Sequence, residues 1–124
     1  MYCIHPEMGY LSNEKNYYST TLLVKYKDFK VLLTGDISGS IEKQIIEKYI
    51  PFNDISVMKA PHHGSKNSNS EEFISYFLPD EVIISCGKDN SYGHPNRETL
   101  DRFLQYGINI RRTDELGAIR IHIK

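Results

Sequence analysis

Hydrophobic residues along this chain follow two periods in turn, and glycine, proline and serine mark where one gives way to the other. Thr21-Leu22-Leu23-Val24-Lys25-Tyr26 is β-branched and partly alternating, Lys27-Asp28-Phe29 reads as a tight turn, and Val31-Leu32-Leu33 is a short apolar run ending at Thr34-Gly35-Asp36. This predicts a hairpin whose second strand stops at Asp36. Over 40–50 the apolar positions Ile41, Ile45, Ile46 and Tyr49 recur at helical spacing, with Ser38 or Ser40 placed to cap the helix and Pro51 to stop it. Ile55-Ser56-Val57-Met58 is the next strand and runs into Ala60-Pro61-His62-His63-Gly64-Ser65, where proline and glycine end any regular ladder. Ser68-Asn69-Ser70-Glu71 has capping-box form and precedes the stripe Phe73, Ile74, Phe77 and Leu78, which Pro79 closes. Val82-Ile83-Ile84-Ser85-Cys86 has the continuous apolar character of a buried strand. A loop over 87–93 leads to His94-Pro95, the proline taking the first position of a third helix that Leu100, Phe103 and Leu104 face inward and Gly107 ends. Ile108 and Ile110 mark a short strand, and Ala118-Ile119-Arg120-Ile121-His122-Ile123 alternates as a last strand after the turn at Glu115-Leu116-Gly117. Residues 1–19 are expected to be a loose segment ahead of one domain over 20–124.

Strand, helix, strand, helix, strand, helix implies crossover units joining parallel strands, which gives an α/β fold. Parallel strands bring their carboxyl ends to one edge. Three polar clusters, Thr34-Gly35-Asp36, His62-His63-Gly64-Ser65 and Tyr92-Gly93-His94-Pro95, each lie just past such an end, where open α/β sheets gather ligands. Residues separated by whole helices are therefore expected to face one crevice.

Carboxylate oxygen and imidazole nitrogen at that edge suit a divalent ion such as zinc, manganese or iron. Asp36 is the candidate carboxylate, with two oxygens that could bridge two ions. Adjacent histidines on an extended backbone point to opposite sides, so His62 and His63 are expected to differ in role, one on metal and one on substrate. His94 ahead of a helix would sit at the positive end of the dipole, which favours a neutral ring and a nearby anion. Taken singly, each has a blander reading. Asp36 could be a turn or cap residue, His-Pro a loop dipeptide and Ser65 a loop hydrogen-bonding residue, since no nucleophile elbow surrounds it. His5 and His122 read as structural or surface residues, and Cys86 as a small core residue.

Composition removes whole classes of function. The 124 residues are 40% hydrophobic and 25% charged, as in ordinary globular domains, so disorder and coiled coil are disfavoured. A formal net charge of -1 offers no general field for a polyphosphate, so any nucleic-acid contact must be local. Cys3 and Cys86 form no C-x-x-C pair, which argues against a disulfide scaffold or cysteine zinc site and fits a reducing compartment. There is no apolar run of transmembrane length and no signal-peptide pattern, so the expectation is a soluble chain, cytoplasmic by default.

The ordered strings Leu32-Leu33-Thr34-Gly35-Asp36, Val57-Met58-Lys59-Ala60-Pro61-His62-His63-Gly64-Ser65-Lys66-Asn67-Ser68 and Ile84-Ser85-Cys86-Gly87-Lys88-Asp89-Asn90-Ser91-Tyr92-Gly93-His94-Pro95 resemble the C-terminal metallo-β-lactamase-like domain of ComEC-type DNA-internalisation proteins. The likeness continues through Arg112-Thr113-Asp114-Glu115-Leu116-Gly117-Ala118-Ile119 and covers nearly everything after about Ser12. It implies half of an αββα sandwich, a mixed sheet with about three helices on one side. It also implies a hydrolase that activates water on two zinc or manganese ions, with Asp36 bridging and His63 on the second ion. His62 and His94 would be catalytic, while Asn90, Tyr92, Ser65 and Lys66 would shape or bind at the substrate loops. DNA, cut at a phosphodiester, is the substrate that the resemblance implies, with other phosphoesters open to soluble relatives.

The family's H-x-H-x-D-H motif is not in these residues. With two or three ligands the chain alone is expected to hold metal weakly or not at all and to be inactive. It would then be a gene fragment, a misplaced start, a piece of a larger or membrane-bound protein, or one half of a split enzyme. The competing readings are a non-enzymatic half-domain acting as a dimerisation module, and a DNA-binding remnant using Lys59, Lys66, Lys88 and Arg97.

Overall fold

The computed structural model describes residues 1–9, 12, 13, 15–48 and 54–124. They form a six-stranded mixed sheet in the order β1-β2-β3-β4-β5-β6, made of β1 Tyr2–His5, β2 Thr21–Tyr26, β3 Phe29–Leu33, β4 Val57–Lys59, β5 Glu81–Ile84 and β6 Asn109–Arg112. β2 runs antiparallel to its neighbours β1 and β3, and β3 to β6 run parallel. Between the parallel strands lie α1 Gly39–Lys48, α2 Glu71–Phe77 and α3 Arg97–Gln105, and a short α4, Thr113–Leu116, follows β6. The strand order advances one place at each crossover, so right-handed connections put all three crossover helices on one face. α1 touches α2, and α2 touches α3, as that arrangement requires.

The register explains why this face is dry. Leu23, Leu32, Met58, Val82 and Ile110 stand opposite one another in turn, one apolar row across five strands. Ile41 and Ile45 from α1, Phe73, Ile74 and Phe77 from α2, and Phe103 from α3 bury themselves in the same core. On the reverse face Leu22 pairs with Leu33, Val24 with Val31 and Val31 with Val57, before the row turns polar at Glu81 and Asn109. Among the described residues no helix is long and apolar enough to cross a membrane.

Several sequence expectations need correction. Tyr2–His5 form an edge strand, with buried Ile4 and His5, ahead of the hairpin, where no strand was predicted. Residues 118–123 form no strand. The Thr113 hydroxyl, hydrogen-bonded to the Cys86 amide and carbonyl at 2.9 Å, turns the chain out of β6 into α4. Beyond Gly117 the alternating segment finds no ladder partner, and Ile121 and Ile123 stay 37% and 42% exposed. Alternation selects a face; it cannot supply a neighbouring strand. α3 begins after Asn96, whose side chain accepts from the Glu98 amide, so Pro95 lies outside the helix and His94 is not at its first turn. Thr99 and Phe103 form the buried face of α3, while Leu104 is 62% exposed. Ser70 caps α2 by accepting from the Phe73 amide, but with phenylalanine at that position no reciprocal box forms. The expectations for Tyr49, Ile50 and Pro51 lie outside the described residues.

Candidate functional site

Three loops leave the carboxyl ends of β3, β4 and β5, and they converge. Gly35 carries the chain out of β3 at φ 58°, in a place where a Cβ would stand 2.9 Å from the Thr20 carbonyl oxygen. Asp36 follows, its backbone N–H donating to Ser19 Oγ at 3.3 Å. The β4 loop is a tight 3-10 turn over Pro61–Gly64, with His62 and His63 both in the left-handed region (φ 45° and 55°). The backbone is thus not extended there, yet the two rings still diverge, with centroids 6.4 Å apart and planes at 64°. The β5 loop presents Tyr92 and His94, whose rings stack at 6.0 Å.

Backbone bonds stitch the first two loops together. The His62 amide donates to the Gly35 carbonyl at 3.1 Å, and the buried Thr34 hydroxyl donates to the Lys59 carbonyl at 2.7 Å. Lys59, half-buried, spends its ammonium on the Gly35 and Ala60 carbonyls, each at 3.1 Å. Burial pulls its pKa below the usual lysine value, opposed by the Asp36 charge. Lys59 therefore braces the loops. Of the other basic residues considered for DNA contact, Lys66 and Lys88 are exposed and Arg97 pairs with Asp101 on its own helix.

Asp36 and His63 meet. His63 Nε2 lies 3.3 Å from Asp36 Oδ1, and Nδ1 lies 2.7 Å from the Ser85 carbonyl oxygen. A carbonyl only accepts, so the Nδ1 position carries the proton and Nε2 of the neutral ring is an acceptor. Two acceptors then face each other, which is attractive only with a cation between them, either a proton or a metal ion. Two ligands about 2.1 Å from one tetrahedral zinc stand about 3.4 Å apart, so the spacing fits a shared ion. The fit extends to two ligand positions. Among the described residues no group of three or more His, Cys, Asp or Glu side chains is placed to hold a metal ion.

Asp36, His62, His63, Tyr92 and His94 line an open cleft of about 270 Å³. The His62 and His94 rings meet edge to face at 5.8 Å. Burial, and then the neighbouring His62 and His63, push the His94 pKa below its ordinary value, so it is held neutral. The sequence reading expected neutrality from a helix dipole; the cause here is desolvation and the company of two other imidazoles. A second, more apolar pocket adjoins the first, lined by His63, Cys86, Gly87, Asn90, Tyr92 and His94.

The remaining predicted site residues sit elsewhere or work differently. Asn90 uses its amide within its own loop, donating to the Gly87 and His94 carbonyls and accepting from the His94 amide. The Ser65 side chain is buried and accepts from the Asn67 amide at 3.2 Å. Lys66 lines a separate polar pocket with Asn67, Ser68, Ser70, Glu71 and Arg102. Sequence reasoning passed over Glu42 and Asn69, both fully buried behind the histidine turn. A signal for Glu42 was present: it shares the helical stripe of Ile41, Ile45 and Ile46, where a carboxylate is out of place.

No family model matches the chain. It is 36% identical over 110 residues to ComE operon protein 3 of Bacillus subtilis, a match covering 89% of this chain and 14% of that protein. It is 35% identical over 107 residues to Recombination protein 2 of Haemophilus influenzae, covering 86% of this chain and 13% of the relative. Competence protein ComA of Neisseria gonorrhoeae is 33% identical over 90 residues, which is 73% of this chain and 13% of the relative. The chain thus spans only about one-seventh of the length of the curated relatives it matches. The chain belongs to a competence-related protein family.

Proposed function

We propose that this chain is part of a metal-dependent hydrolase domain of metallo-β-lactamase type, in which Asp36 and His63 hold a divalent ion and His62 and His94 face the substrate. One observation carries the reading: Asp36 Oδ1 and His63 Nε2 are held 3.3 Å apart by loops from different strands, while His63 Nδ1 lies 2.7 Å from the Ser85 carbonyl oxygen. A ring N–H given to a backbone carbonyl is the usual way a protein orients a metal-binding imidazole. In this reading the helix-covered sheet is half of an αββα sandwich, and Leu22, Val24, Val31, Leu33 and Val57 belong to the face that a second sheet would cover.

Bound zinc or manganese would supply Lewis acidity and an activated water at neutral pH. The ligands that complete such a site, including H-x-H-x-D-H, are not in this sequence and would come from chain outside it. What these residues do is narrower. Ser85 keeps the proton on His63 Nδ1, the Ser19 and Gly35 contacts fix the loops, and neutral His94 can accept or return a proton at the cleft wall. A DNA phosphodiester is the substrate proposed, because one relative is named a competence protein and another a recombination protein.

Calorimetric titration with zinc and manganese tests the site. Weak binding is expected for the chain, lost more than about tenfold in Asp36→Ala and His63→Ala and kept in His122→Ala. Cleavage of a single-stranded oligonucleotide is expected only when the H-x-H-x-D-H-bearing half is supplied in trans. Zinc affinity indifferent to both substitutions would sink the reading. The alternative, a non-enzymatic dimerisation or DNA-binding module, draws on the apolar reverse face of the sheet. Metal-independent self-association in sedimentation experiments, or salt-sensitive DNA binding without cleavage after complementation, would favour it.

A further inference from the structure

Behind the cleft, α1 and the segment leading into α2 share a buried polar bracket. Glu42 is completely buried on α1 and its carboxylate accepts from two consecutive amides, that of Asn69 at Oε1 and that of Ser70 at Oε2, the latter at 2.9 Å. Asn69 is likewise completely buried, in the left-handed region at φ 62°. Its Nδ2 donates to the Pro61 and Ser65 carbonyls, both at 3.0 Å, so one side-chain amide grips the turn bearing His62 and His63 at its two ends. Arg102 adds to the bracket from α3, donating to the Ser68 and Asn69 carbonyls at 3.3 and 3.2 Å.

The histidine turn needs such support. Two successive non-glycine residues in the left-handed region cost about 1–2 kcal/mol each, and such conformations persist only where the surroundings over-determine them. A buried carboxylate is costly too; burial raises the Glu42 pKa, opposed by its bonds to Ser70 and Asn69. An alanine or leucine at position 42 would escape that cost but would take this acceptor from the Asn69 and Ser70 amides, so the carboxylate and the backbone it holds stand or fall together.

We infer that Glu42 and Asn69 are positioning residues for the histidine turn: Glu42 fixes the Asn69 backbone, and the Asn69 amide holds His63 with Nδ1 on Ser85 and Nε2 toward Asp36. Neither side chain lines the cleft, so both act through the turn. The inference deepens the metal-site reading and rests on it only for its zinc readout; the ring orientation stands without metal.

Asn69→Gly removes the clamp and tolerates the positive φ, and Glu42→Gln places an amide N–H against one of the two backbone donors. The readout is the side-chain ¹⁵N spectrum of His63. In the wild type His63 Nδ1 should stay protonated, with Nε2 the nitrogen left to Asp36. In both variants the Nδ1–H and Nε2–H tautomers should mix, while Phe73→Leu, which loosens the core without removing a bracket hydrogen bond, should leave Nδ1 protonated. Zinc affinity should fall about 10–100-fold in the variants, the usual effect of losing support behind a ligand. A fixed His63 tautomer in folded Asn69→Gly or Glu42→Gln overturns the inference. Should both variants fail to fold, hydrogen exchange on the wild type decides: the Asn69 Nδ2 protons should exchange only with global unfolding, and exchange as fast as that of exposed Asn67 refutes the clamp. If His63 tautomers mix as expected but zinc affinity ignores Asp36→Ala and His63→Ala, the metal reading fails and the positioning inference stands.

Discussion

Substituting alanine at Gly64 should damage the site without altering any side chain that lines it. Gly64 closes the histidine turn at φ 81°, and its carbonyl accepts from the Asn96 amide at 3.0 Å, joining this turn to the loop that carries His94. A Cβ built there would lie 2.7 Å from Pro95 Cβ and 3.1 Å from Pro95 Cα, with Ile84 Cγ2 at 3.4 Å. The left-handed backbone costs an alanine about 1 kcal/mol. Forcing a methyl against a ring whose backbone is tied on both sides adds about 1–3 kcal/mol. The sum, about 2–4 kcal/mol, is a sizeable part of the stability of a small domain. Gly93→Ala is the control, because Gly93 has φ 69° but nothing within 4 Å of the added Cβ, so only the backbone cost of about 1 kcal/mol applies. Urea denaturation should show Gly64→Ala losing about 1–2 M in midpoint at a slope of about 2 kcal/mol/M, and Gly93→Ala about 0.5 M. Gly64→Ala should also weaken zinc binding, since relief comes by parting the His62–His63 turn from the His94 loop. Equal losses in the two variants, or a Gly64→Ala midpoint indistinguishable from wild type, would refute the close-approach argument.

Two further expectations bear on the fold. Phe73, fully buried and 4.9 Å from the Phe77 ring, should cost about 3–5 kcal/mol on truncation to alanine, read as a lower urea midpoint at unchanged slope; a loss under 1 kcal/mol would mean the core is not packed as described. Asp114 is held below its ordinary carboxyl pKa of 3.8, first by its hydrogen bonds from Arg112. A lowered folded pKa stabilises above the unfolded value, and that contribution disappears as pH falls through the folded value. Asp114→Asn should therefore cost about 1 kcal/mol at pH 7, the gap to wild type closing only in acid below pH 3.8; a gap that persists there would assign the effect to packing.

Local patterns in the sequence determined much of this protein. The hairpin ending at Asp36, the apolar stripes of α1 and α2 and the buried character of β5 all follow from period and punctuation, because each is decided by neighbours within a few residues. The order of those elements was enough to bring Asp36, His62, His63 and His94 to one edge, since crossover handedness leaves few alternatives. Tertiary structure decided the rest. Edge strand β1 and the absence of a strand over 118–124 depend on which strand lies next door, a fact that no alternation encodes. The placement of Pro95 outside α3 followed from Asn96 taking the cap. The His63 tautomer, the bracing of Lys59 and the Glu42–Asn69 bracket arise from groups 22 to 27 residues apart meeting, the last of them in a dry interior. There an unpaired donor or acceptor is costly, so the identity of each partner, which sequence spacing does not reveal, fixes what a side chain can do.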